Sequence, residues 1–422
     1  MSYTKQNKNG IELNRLYEED FPVHEWYRFV LSYPPHLVRN YLVDFGMNQT
    51  HTVLDPFCGT GTTIVECKKS GIKSIGIEAN QIAHLASKVK TNWSINEDRL
   101  LDLSRTVAEE AERTIQNYNS EYKTLTESQE KLIISNSISQ IPLHKTLILL
   151  EIILRYKDKE LTDHLLISLA KQIVFSYSNL KFGPEVGVSR IKKTDADVVG
   201  LWFEQIETMV RDIKQFKELS AIKSEVILGD ARNINALIPK ESVDAIITSP
   251  PYPNEKDYTR TTRLESVILG FIKEKSDLRR NKERLLRSNT RNVYVSDNDE
   301  IWVENNELVK NVSQMIEDKR IELGKTSGFE KYYHRVVELY FGGIAKHLES
   351  MKTILRPGAR LAYVVGDQAS YFRVLIKTGE IIADIANSLG YQVDRIDLFR
   401  TRLSTVTKEQ LREEVVVLTW KG

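Results

Sequence analysis

A chain of 422 residues is long enough for two or three compact units, or for one core carrying large insertions. Its 41% hydrophobic and 28% charged residues are ordinary for a soluble globular protein, and a formal net charge of +1 excludes a globally basic surface, so any nucleic-acid contact must be local. Two cysteines (Cys58, Cys67) and eight scattered histidines build neither a disulfide framework nor a metal site, and neither a signal peptide in MSYTKQNKNG nor a membrane span is visible, so the expectation is a soluble, cytoplasmic protein that binds no metal and contacts no membrane.

The first strand is expected at 50–55 (THTVLD), a short apolar run without polar alternation. Asp55-Pro56-Phe57-Cys58-Gly59-Thr60-Gly61-Thr62-Thr63 follows it and opens a helix. Gly59 and Gly61 let the backbone pass close to a ligand, and the helix start offers unpaired N–H groups. No Gly-Lys-Ser/Thr follows, so this is not a phosphate loop. Asp55 would repel phosphate and attract a cofactor's ammonium. The second strand, 74–78, ends in Glu78, where a carboxylate can accept both hydroxyl hydrogens of a ribose. A purely structural strand–turn–helix remains the bland alternative for this region.

About 145 residues separate the second and third strands, far more than one crossover needs. The stretch 95–223 shows helical periodicity and reads as a helical insertion, a candidate for target recognition. Its segment 181–197 (KFGPEVGVSRIKKTDAD) is expected to be irregular; Arg190, Lys192 and Lys193 could contact bases there, unless it is a linker. The third strand, 225–230, runs into Gly229-Asp230-Ala231, where a side-chain acceptor can meet an adenine amino group.

The fourth strand, 244–249, leads into Ser249-Pro250-Pro251-Tyr252-Pro253. Adjacent prolines stiffen the turn and remove donors, leaving carbonyls as pure acceptors. An exocyclic base amine is a poor nucleophile because its lone pair is delocalised into the ring. Acceptors at Pro250 and Ser249 could hold its hydrogens, and Tyr252 could stack on a base flipped out of the duplex. Methyl transfer would then be an in-line displacement governed by positioning and electrostatics. A rigid strand-end turn is the alternative.

Beyond it, Tyr258, Arg260 and Arg263 could meet phosphates, with both arginines expected on one helical face. The run 271–291 holds eight Lys/Arg against three Asp/Glu, including Arg279 and Arg280; it is either a nucleic-acid footprint or a solvated helical face. A helix is expected at about 329–355, its aromatics Tyr332, Tyr333, Tyr340 and Phe341 assigned to packing. Strands at 360–367, 392–399 and 413–420 complete a set of seven, with Arg400 and Arg402 facing the ligand-binding sheet edge in phosphate contacts or ion pairs. The expected organisation is 1–94 (N-terminal cap and cofactor half of the core), 95–223 (helical insertion), 224–257 (core strands with the tetrapeptide), 258–327 (basic helical insertion) and 328–422 (C-terminal half of the core).

Taken together, DPFCGTGTT, Glu78, GDA and TSPPY resemble the amino-methyltransferases of bacterial restriction–modification systems. The resemblance implies an α/β, Rossmann-like class I methyltransferase fold, with a seven-stranded, mostly parallel sheet whose last strand is antiparallel. It implies S-adenosylmethionine as cofactor, held by Asp55 to Thr63, Glu78, Asp230 and Ala231, and Ser249, Pro250, Pro251 and Tyr252 as catalytic residues. The segment 26–42, with Pro34 in a Pro-Pro pair, looks like the part that folds over the cofactor, or it is a capping helix. Double-stranded DNA is the implied partner and a cognate restriction endonuclease a possible one. SPPY goes mostly with cytosine N4 and DPPY or NPPY with adenine N6, so cytosine is the expectation and adenine stays open. Carbon-5 methylation is rejected because no Pro-Cys occurs. An RNA amino-methyltransferase and a non-catalytic DNA-binding subunit of the same fold are the rivals.

Overall fold

The computed structural model describes residues 12–29, 32–183, 185–254, 256–403 and 410–422. The stretch searched for a signal peptide, and residues 30 and 31 of the segment 26–42, lie outside them. Seven strands form one sheet: β1 (Thr52–Asp55), β2 (Lys73–Glu78), β3 (Ser224–Leu228), β4 (Val243–Thr248), β5 (Leu355–Gly366), β6 (Gln392–Leu403) and β7 (Gln410–Thr419). Their order is β3-β2-β1-β4-β5-β7-β6. All neighbours are parallel except β7, which runs antiparallel to both β5 and β6. The expected fold class is the observed one.

Helices of eight or more residues are α1 (Pro35–Asp44), α2 (Thr62–Lys69), α3 (Gln81–Thr91), α4 (Glu97–Gln116), α5 (Gln140–Ile153), α6 (Lys159–Gln172), α7 (Val198–Gln215), α8 (Lys275–Glu283), α9 (Glu307–Glu322), α10 (Tyr333–Met351) and α11 (Thr378–Ser388). The strands read as continuous apolar runs because both sheet faces are covered. Val53, Ala245, Ile247, Ala362 and Val364 pack under α1 and α2. Their neighbours Leu54, Ile246, Leu361 and Tyr363 point the other way, under α10 and α11.

The chain between β2 and β3 carries α4 to α7. Its apolar stripe, including Leu100, Val107 and Ala111 of α4, does not close a core of its own. It shares one with Trp26, Tyr27, α3 and Val267. Trp26, Trp93 and Trp202 are fully buried there. The Trp26 indole donates to Asp212 of α7 (2.7 Å), so the insertion grips the N-terminal segment. The segment 181–197, expected to be irregular, instead begins inside a two-stranded antiparallel hairpin, Leu180–Phe182 with Val186–Val188. Strands of three residues are too short to show a period, so the sequence carried no strand signal there. Tyr333, Tyr340 and Phe341 are core residues as expected, whereas Tyr332 is exposed. No helix among the described residues is long and apolar enough to cross a membrane.

Candidate active site

Because β3, β2, β1 and β4 are parallel neighbours, their carboxyl ends open on a single edge. One cavity of about 560 Å³ lies there, with Gly59, Glu78 and Asp230 on one side and Ser249, Pro250 and Tyr252 on the other.

The β1–α2 loop turns sharply at Gly61, which has a φ of +86°. A Cβ there would fall 3.0 Å from Ser87 Oγ and 3.2 Å from its Cα, so α3 can approach only a glycine. Pro56 to Thr60 and Thr62 line the cavity, while Asp55, Gly61 and Thr63 lie behind its wall. Asp55 is fully buried. It accepts from the hydroxyls of Thr248 (2.6 Å) and Tyr33 (3.0 Å) and from Phe57 N–H (3.1 Å). The expectation that Asp55 meets an ammonium is therefore corrected: its carboxylate faces Tyr33 and Thr248. Burial raises its pKa to about 6.

Glu78 does reach the cavity. Its Oε2 accepts Gly59 N–H (2.8 Å) and its Oε1 accepts Asn80 N–H (2.7 Å). Each oxygen retains a lone pair for a ligand hydroxyl. Burial lifts this pKa to about 7. Asp230 and Ala231 line the next part of the wall. Asp230 is held by Arg232, whose Nη2 lies 2.7 Å away and whose Nη1 also donates to Asp299 (2.6 Å). His347, unused in the sequence reading, pins this corner. It bonds the Ala231 carbonyl (2.7 Å) and Tyr363 (2.9 Å), and its ring meets Phe57 edge-on at 4.9 Å. Pro34 occupies the N-cap position of α1 and is buried away from the cavity, a correction to its expected cofactor role; its neighbours Ser32 and Tyr33 line the cavity instead.

On the β4 side, Ser249, Pro250, Pro251 and Tyr252 all line the cavity. The Ser249 hydroxyl donates to the Val364 carbonyl (3.0 Å) and also meets the Tyr252 phenol, so its oxygen keeps one acceptor position for an amine hydrogen. Tyr252 N–H donates to Tyr258 Oη (3.3 Å). The Tyr252 ring lies against Gly366, where a Cβ would sit 3.1 Å from Cε2. Burial and then the nearby Glu413 carboxylate raise its pKa, so the phenol stays neutral.

The basic residues divide. Tyr258 lines the cavity. Arg260 and Arg263 do not share one helix, because the helical turns Tyr258–Thr261 and Arg263–Ile268 are separated at Thr262. Arg260 lies 3.7 Å from Glu185 of the hairpin. Arg263 turns inward to the Thr259 and Leu132 carbonyls and lies 3.8 Å from Asp257, so its expected phosphate contact is corrected. Arg190, Lys192 and Lys193 are exposed outside the cavity, with the Lys193 ammonium on the Ser176 carbonyl (2.6 Å). Arg279 pairs with Glu283 (2.9 Å) and Arg280 with Asp277. Arg284, Lys256 and Arg402, by contrast, line the cavity. Arg400 and Arg402 both pair with Glu413 (2.5 and 3.4 Å).

Tyr27 and Phe29 belong to the segment 26–42 expected to fold over the cofactor or to form a capping helix, whereas Lys90 and Glu265 carried no sequence signal. Phe29 lies over the loop, 4.0 Å from a Cβ built on Gly59, which places the N-terminal segment above it. Lys90, fully buried in α3, donates to the Tyr27 (3.1 Å) and Thr60 (2.9 Å) carbonyls and ties that segment to the loop. Tyr27 and Glu265 complete the wall.

Residues 2–88 match a family described as DNA methylase, in its N6/N4 branch. The Type II methyltransferase M.BsoBI of Geobacillus stearothermophilus is 27% identical, covering 90% of this chain and 81% of that protein. The Type II methyltransferase M.AvaI of Nostoc is 23% identical, covering 89% and 80%. The crystal structure of TrmN from Thermus thermophilus is 12% identical over 92% of this chain and 48% of that one, with a TM-score of 0.30, too low to carry weight.

Proposed function

We propose, from the premise that this chain belongs to the N6/N4 family of DNA methylases, that it methylates the exocyclic amine of cytosine, N4, at a specific site in double-stranded DNA as the modification enzyme of a restriction–modification system. S-adenosylmethionine is the methyl donor of that family. The observation that carries the reading is the common cavity, in which the Gly59 loop and Glu78 face Ser249, Pro250 and Tyr252.

The residues present fit the cofactor. Glu78 offers two oxygens with spare acceptor capacity to a ribose diol. Asp230 and Phe57 bound the wall beyond it, suited to an adenine with its amino group toward the carboxylate. The volume of about 560 Å³ is within the ordinary range for a small-molecule site. When bound, the cofactor supplies an electrophilic methyl on a sulfonium.

The chain's own contribution is orientation. The Pro250 carbonyl and Ser249 Oγ accept the two amine hydrogens, which frees the nitrogen lone pair. Tyr252, held by Tyr258 and Gly366, stacks on the flipped base. Once methylated, the amine would release one proton to water; the Tyr252 phenol, kept neutral by burial, would not be its base. Lys256 and Arg284 at the cavity are suited to the flanking phosphates, whereas Arg402 is held by Glu413.

The test incubates the protein with methyl-labelled cofactor and duplex DNA, followed by digestion to nucleosides. N4-methylcytosine is expected. Label in N6-methyladenine would move the reading to adenine. Label acquired only by RNA, or DNA binding without cofactor turnover, would replace it by the RNA enzyme or the silent subunit.

A further inference from the structure

We infer that Glu265 binds the α-ammonium of the cofactor's amino-acid end, an inference that rests on the cofactor assignment above. Glu265 lies on the short helix Arg263–Ile268, is fully buried, and lines the cavity. Its Oε1 accepts the Tyr27 hydroxyl at 2.5 Å, and its Oε2 has no hydrogen-bond partner. Among the described residues no Lys, Arg or His forms an ion pair with it within 4 Å.

A buried carboxylate with an idle oxygen is costly unless a ligand donor completes it. The Thr60 hydroxyl, also buried and also on the cavity wall, is likewise without a partner. The two groups belong to one corner, because Lys90 joins Thr60 to Tyr27 through their carbonyls while the Tyr27 hydroxyl reaches Glu265.

The cofactor carries two positive centres. The sulfonium must sit beside the tetrapeptide for the methyl to reach the amine. Glu265 stands instead with Tyr27, which Lys90 ties to Thr60 of the β1–α2 loop. That leaves the α-ammonium for Glu265. Arg28, next to Tyr27 and on the same cavity, supplies the opposite charge that an α-carboxylate needs. Burial alone holds the Glu265 pKa up at about 7, which a cationic ligand would reverse.

The experiment is calorimetric titration of the full-length protein with S-adenosylhomocysteine and with its desamino analogue, which keeps the carboxylate, sulfur and nucleoside. Wild type should bind the first tighter by about tenfold or more, the value of a hydrogen-bonded charge. Glu265→Gln should weaken S-adenosylhomocysteine by about tenfold to a hundredfold and leave the desamino analogue unchanged. Tyr27→Phe, which keeps the carboxylate, should weaken it less. Equal binding of both ligands by wild type overturns the inference even if the variant does not fold, and so does an equal loss of both ligands in Glu265→Gln. Wild type that binds neither ligand overturns the cofactor assignment itself, and this inference with it.

Discussion

Replacing Gly366 by alanine isolates the positioning of Tyr252 from everything else in the site. The new Cβ would stand 3.1 Å from Tyr252 Cε2 and 3.2 Å from Glu413 Cγ. Ordinary carbon contacts lie at about 3.5–4.0 Å, so the ring must retreat by about 0.4–0.9 Å. A misplacement of about 1 Å at a reacting geometry costs on the order of a hundredfold, which puts the expected fall in kcat at about tenfold. Cofactor affinity should hold, because the Gly59 loop and Glu78 are untouched. Stability should fall by up to about 2.6 kcal/mol: the stiffer unfolded chain contributes about 0.4–1 kcal/mol against about 1–3 kcal/mol of overpacking. Single-turnover methyl transfer, calorimetry with S-adenosylhomocysteine and a melting curve read the three quantities. A kcat within twofold of wild type, with the fold intact, would refute the claim that the Tyr252 face positions the base.

The remaining predictions concern charge. Glu78→Gln should weaken S-adenosylhomocysteine binding by about tenfold or more, since two backbone donors and a ribose lose a charged acceptor. Wild-type Glu78 has a pKa raised from 4.5 to about 7, so its stabilisation is complete below about pH 4.5 and is lost as pH rises through about 7. The Tm of the ligand-free wild type should therefore fall relative to Glu78→Gln across that window, and parallel Tm profiles would contradict the shift. Lys256→Ala and Arg284→Ala should each lower the salt slope of DNA binding by about one, whereas Arg280→Ala, already paired with Asp277, should not; filter binding across salt concentrations decides. Arg232→Met should destabilise by about 3 kcal/mol in denaturant unfolding, because it leaves Asp230 without its cation while Asp299 keeps only Lys346.

The sheet was legible because strands covered on both faces leave uninterrupted apolar runs, and all seven runs became strands of one sheet. The cavity edge was legible because glycines and prolines mark backbone geometry directly. Contacts between distant segments were not. Trp26 meets Asp212 across 186 positions, and no periodicity announces such a pair. Glu265 looks like any helical glutamate until Tyr27, 238 positions away, reaches it. The even spacing of Arg260 and Arg263 misled because Thr262 interrupts the helix that would have put them on one face. In the run 271–291, charge counting overstated the free surplus. Lys282 is bound to Asp257 (2.9 Å) and Arg287 to Asp297 (2.8 Å), so acids outside the run neutralise cations within it.

Three acidic residues at neighbouring strand ends mark the ligand edge, yet each is committed differently, and the difference explains how the two halves of the site stay in register. Glu78 faces the cavity. Asp230 is braced by Arg232 and shapes the wall. Asp55 faces neither ligand region. It joins the end of β1 to Thr248 at the end of β4, one residue before Ser249. It also takes the Tyr33 hydroxyl from the covering segment, and Tyr33 bonds Thr63 at the start of α2. One buried carboxylate thus links the β1–α2 loop, the turn that begins at Ser249 and the N-terminal segment around Tyr33. In a buried network a change at one bond is felt at the others. A displacement of the β1–α2 loop is therefore expected to reach Ser249 through Asp55 and Thr248, by hydrogen bonds behind the cavity wall rather than across the cavity.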